Sequence, residues 1–106
     1  MVLQEGKAPG YPSNQLYGPV SPNNDCPTVD GIKQYPAKYY KNNHYTVCMP
    51  ITSEGMACPP TPVKTPAVHD GSEPVCFIPC GIDEDCQEAA KCLNTGSHKL
   101  CAFSVP

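Results

Sequence analysis

Eight cysteines, at positions 26, 48, 58, 76, 80, 86, 92 and 101, carry most of the chemistry in this 106-residue sequence. Thiols at that density either hold a metal or close disulfides. Structural zinc sites use two closely spaced Cys pairs, and here only Cys76-x3-Cys80 has the spacing. His44, His69 and His98 are scattered and supply no second pair. No metal and no cofactor is therefore expected, and the cysteines read as structural disulfides. Ser97-His98 is adjacent in sequence, but a catalytic Ser and His must meet through the fold beside an oxyanion hole. No Gly-x-Ser-x-Gly is present. Asp83, Glu84, Asp85 and Glu88 lack the Gly and distal Glu of an EF-hand loop. Nothing around them builds an apolar pocket that raises a carboxyl pKa. A capped, solvated helix start accounts for them, and no enzyme activity or catalytic residue is expected.

Tyr35, Tyr39, Tyr40 and Tyr45 are interleaved with Lys33, Lys38 and Lys41. Such a cluster can stack on bases, stack on sugars, or form a protein-contact patch. Alternating tyrosines also cover a thin core when a strand is half buried. Among the binding readings protein contact leads, because tyrosine is enriched at interfaces. The charge opposes nucleic acid: 7 Lys and no Arg face 10 acidic residues, a net charge of −3. Phe77 and Ile78, in the short apolar run Val75–Cys80, join the candidate contact residues.

The elements that must position these groups are constrained by composition. Leu, Ile, Val and Phe are 18 of the 106 residues, below the roughly 20% at which side chains alone build a core. The 14 Pro and 8 Gly shorten every regular element. Doubly wound enzymes, helix bundles and coiled coils are excluded, and no apolar run is long enough to span a membrane. What remains is a small, disulfide-rich, irregular small-β unit. Met1–Lys7 lacks the apolar core of a signal peptide, so the expectation is the mature form of an extracellular protein.

Residues 1–25 hold no cysteine and read as an extended Pro/Gly/Asn-rich arm. Residues 26–106 then form one cystine-stapled domain. Within 26–58, Lys38–Lys41 and His44–Cys48 flank Asn42-Asn43; aromatic and β-branched runs around residues that tolerate positive φ predict a hairpin. Residues 59–75 form a stiff Pro-rich loop. Residues 76–106 hold five cysteines and one short helix over 83–93, with Asp83 as its cap and Asn94 and Gly96 as its stop. Three cysteines in the first half and five in the second require at least one disulfide between the halves, so 59–75 is a loop inside a single unit.

Cys80-x5-Cys86-x5-Cys92-x8-Cys101, with Asp83-x-Asp85-Cys86, Lys91-Cys92 and Pro106, resembles the second half of the whey acidic protein (WAP) four-disulfide core. The resemblance covers residues 80–106. Two family cysteines are replaced, by Leu93 and Ser97, so two family disulfides are missing. The resemblance implies the pairs Cys80–Cys92 and Cys86–Cys101. Cys26, Cys48, Cys58 and Cys76 then remain, and Cys76 must pair with one of the other three.

Two functions fit this reading. The resemblance implies a secreted, non-enzymatic protease-inhibitor-like protein that offers a rigid loop to a serine protease. Candidate loops are Met49–Ala57 and Val75–Cys80. Composition also fits a structural subunit of an extracellular filament, coat or matrix, in which the N-terminal arm lies on a neighbouring copy. The expected partner is thus a protein, either a protease or copies of the chain itself.

Overall fold

The computed structural model describes residues 15–40, 44–53 and 55–105. A four-stranded antiparallel sheet of order β1-β2-β6-β5 is formed by β1 (Gln34–Tyr40), β2 (His44–Pro50), β5 (Ala90–Asn94) and β6 (Lys99–Ser104). A two-stranded ribbon of β3 (Val68–His69) and β4 (Cys76–Phe77) accompanies it. The predicted hairpin is β1–β2, with Tyr39 opposite Tyr45 and Tyr40 opposite His44; its turn, 41–43, lies outside the described residues. Pro36 is tolerated in β1 because β1 is an edge strand, where a missing N–H need not interrupt a ladder.

β2 and β6 pair at Tyr45–Thr46 and Phe103–Ser104, with the Val105 amide donating to His44 O at 2.9 Å beside them, and in the other direction they part. Each strand finds another partner beyond that point. The Cys48 amide donates to the Gly18 carbonyl at 2.8 Å, and the Cys101 amide donates to that of Ile78 at 3.0 Å. Two irregular segments thereby satisfy backbone groups that a buried sheet interior cannot leave open.

The core is a single cluster that includes Val47, Met49, Val75, Phe77, Ile78, Leu100, Ala102 and Phe103. Tyr17 belongs to it at 1% exposure. Residues 15–19 of the expected arm are thus part of the body, and residues 1–14 lie outside the described residues. Four disulfides staple this core: Cys26–Cys48, Cys58–Cys76, Cys80–Cys92 and Cys86–Cys101. The last two are the pairs that the WAP-like spacing implies. Cys58–Cys76 is the bond between halves, and it closes the Pro-rich stretch into a loop.

The expected helix over 83–93 is replaced by a 3-10 turn at Asp83–Asp85 followed by β5. Cys86 is already extended (φ −101°, ψ 167°) and Ala89 has φ 75°. A helix of this length is marginal in isolation. The alternative supplies β6 with a second edge, pairing Ala90–Asn94 with Lys99–Phe103. Asp83 does not cap its own turn; its Oδ1 accepts the Cys92 amide at 2.8 Å.

Candidate functional site

Side chains alternate across a strand, so the register divides the tyrosines. Tyr35, Tyr39 and Tyr45 share a face with Ala37, Val47 and Met49, whereas Tyr40 shares the opposite face with Lys38, His44 and Thr46. Tyr39 and Tyr45 are half buried against the core, and burial raises the Tyr39 phenol pKa above its ordinary value. Tyr35 is exposed at the edge, and Tyr40 is 62% exposed. The four tyrosines therefore do not form one contact patch.

Phe77 and Ile78 are 4% and 2% exposed. They are core residues and correct the expectation that they touch a partner. With few large aliphatic residues in the chain, the apolar run beside Cys76 is needed inside, and Val75–Cys80 is unavailable as an inhibitory loop.

The second candidate loop, Met49–Ala57, is displayed only in part: Met49 and Pro50 are buried at the end of β2 and Thr52 is buried, whereas the stretch from Ile51 onward carries exposed side chains. At its entry the Ile51 amide donates to Lys33 O at 2.8 Å and the Thr52 amide to Pro74 O at 2.9 Å. The Thr52 hydroxyl lies 3.8 Å from Cys76 Sγ; the disulfide sulfur carries no proton, so the hydroxyl donates. At its exit Cys58 is bonded to Cys76. Between these anchors Ile51 and Met56 are exposed. Gly55 has φ +86°, a conformation that strains any other residue. Glu54 lies outside the described residues.

On the Tyr40 face lies a groove of about 480 Å³. It is lined by Pro19, Val20 and Pro22, by Lys38, Tyr40 and His44, and by Phe103 to Val105. The His44 ring meets Tyr40 edge-on at 4.5 Å. Sequence reading missed this groove, because part of its lining comes from the segment read as an extended arm.

His98 packs against Phe77 at 4.8 Å between ring centroids, with Nε2 3.9 Å from Asp70 Oδ2. Asp70 is held below the usual carboxylate range, chiefly by the Ser72 amide that donates to it at 2.8 Å. Ser97 Oγ is 3.4 Å from Thr95 Oγ1, so the adjacent Ser97 and His98 face different partners. Two trios, Cys58/His69/Cys76 and Cys80/Cys86/Cys101, bring potential metal-ligating atoms together. Each sulfur in them is in a disulfide and offers no thiolate.

Asp85 Oδ2 accepts the amides of Gly81 at 2.8 Å and Ile82 at 3.1 Å, which holds its carboxyl below the usual range. This carboxylate fixes a turn whose apex, Ile82, is 59% exposed. Sequence reading placed the acidic run in a helix and so overlooked the isoleucine beside it. Among the described residues no helix is long and apolar enough to cross a membrane.

No family model matches the chain, and neither curated proteins nor solved structures include a match. Four disulfides and a WAP-like spacing do not by themselves make a WAP domain.

Proposed function

We propose that the chain is a secreted, non-enzymatic binding protein that offers the loop Ile51–Cys58 to a protein partner. The supporting observation is that both ends of this loop are pinned while Ile51 and Met56 face outward. A loop ordered before docking loses little entropy on binding, which is how small stapled proteins gain affinity. Four disulfides suit an oxidising extracellular setting. The WAP-like spacing of Cys80–Cys101 directs the choice of partner towards serine proteases. The test is to titrate the oxidised chain against a panel of serine proteases and measure residual activity. Inhibition that Met56→Glu weakens by at least about tenfold, and that Met56→Leu retains, supports the reading. Absence of inhibition across the panel, or inhibition indifferent to Met56 and Ile51, overturns it.

A second reading, the subunit of an extracellular assembly, is favoured by the groove on the Tyr40 face. Residues 15–19 are tied to their own body, so in this reading the groove takes the inter-subunit role first expected of the arm.

A further inference from the structure

We propose that the groove binds a second copy of this chain by receiving its Ile82 together with the adjacent carboxylates. The inference rests on the assembly reading and specifies its contact. In a chain of net charge −3, the described residues lining the groove include the basic Lys38 and His44 and no Asp or Glu. Its walls are mainly prolyl, valyl and aromatic. The groove thus suits an apolar side chain accompanied by negative charge.

The same chain carries that combination. Ile82 is an exposed aliphatic residue followed directly by Asp83, Glu84 and Asp85. Among the described residues Glu84 makes no hydrogen bond or ion pair, so its charge is available. The turn is rigid: Asp85 binds the Gly81 and Ile82 amides, and Lys99 Nζ donates to Gly81 O at 2.9 Å. The Cys80–Cys92 and Cys86–Cys101 bonds hold its two ends. A pre-organised knob gives up little freedom on docking. Ile82 lies outside the core, so its own fold does not account for the side chain.

Knob and groove sit at opposite ends of β6. Lys99, its first residue, holds the knob, whereas Ser104, its last, lines the groove. Each copy therefore offers one of each, and their separation lets the contact repeat from copy to copy.

Sedimentation velocity of the oxidised full chain, from about 0.02 to about 1 mM at low salt, tests this. The expected result is a weight-average mass that rises with concentration above 11.4 kDa. Ile82→Glu and Lys38→Glu each abolish the rise. The double variant Lys38→Glu/Glu84→Lys restores it, because the charges are exchanged between groove and knob. Lys38, Ile82 and Glu84 are all exposed, and far-UV circular dichroism checks that each variant is folded. A monomer at every concentration overturns both this inference and the assembly reading. Association that survives Ile82→Glu, or that is lost with Ile82→Glu but survives Lys38→Glu, overturns the inference and leaves the assembly reading standing.

Discussion

Gln87 Nε2 donates to the Tyr17 carbonyl at 2.8 Å across 70 residues of sequence. From the hairpin, Gln34 Oε1 accepts the Tyr17 amide at 2.9 Å. Tyr17 itself sits at φ 63° with its hydroxyl donating to Pro59 O at 2.7 Å. Its amide, carbonyl and hydroxyl are thus each bound to a different segment. A non-glycine residue in the left-handed region persists only where its surroundings over-determine it. Tyr17 is therefore the bolt that fastens the N-terminal segment to the body.

Removing the clamp is expected to destabilise the whole unit rather than free a tail. Gln87→Ala leaves the buried Tyr17 carbonyl unpaired, at a cost of about 1–3 kcal/mol. Urea unfolding followed by circular dichroism measures it. A midpoint equal to that of the parent chain contradicts the clamp.

Burial pushes the Tyr17 phenol from 10.0 up to about 12. The folded pKa is raised, so this contribution to stability is fully present below pH 10 and declines as pH rises towards about 12. A pH series of unfolding midpoints shows the decline. Tyr17→Phe lacks this titration and is expected to flatten the curve, although it loses the bond to Pro59 at every pH.

Cys58–Cys76 closes a loop of sequence separation 18 and pins the exit of the Ile51–Cys58 loop. Replacing both cysteines by alanine is expected to remove about 3 kcal/mol. It is also expected to admit proteolysis within 59–75, read by mass spectrometry of limited digests. Digestion products identical to those of the parent show that the bond does not order this stretch.

The Asp85 carboxylate orders the Ile82 turn locally. Asp85→Ala is expected to speed amide hydrogen exchange at Gly81 and Ile82 while shifting the global unfolding midpoint only slightly. The bonds form with the ionised carboxylate, whose folded pKa is lowered. In the parent chain they are present above the ordinary carboxylate range and are lost only as pH falls below it. Unchanged exchange in the variant contradicts this role.

The class of the protein is legible in its composition: a chain poor in large aliphatics and rich in proline and cysteine has to be stapled. The β1–β2 hairpin is also local information, since Tyr39, Tyr40, Tyr45 and Val47 favour strands and Asn42-Asn43 permits a turn. The bond between halves follows from counting cysteines, though its partner, Cys58, does not. Tertiary structure decided the remainder. Ala90–Asn94 has helical neighbours in sequence but becomes a strand, because β6 needs an edge partner and two disulfides bind Cys86 and Cys92 to distant segments. Phe77 and Ile78 resemble an exposed apolar run until the scarcity of other core residues draws them inside. Tyr17, in a stretch that reads as an extended arm, becomes a core residue through three hydrogen bonds to remote segments. The groove and the Ile82 knob depend on the same long-range closure. Short-range propensity is worth tenths of a kcal/mol to about 1 kcal/mol per residue. Burial and cross-links between remote segments exceed it, and they depend on contacts that no local window of sequence contains.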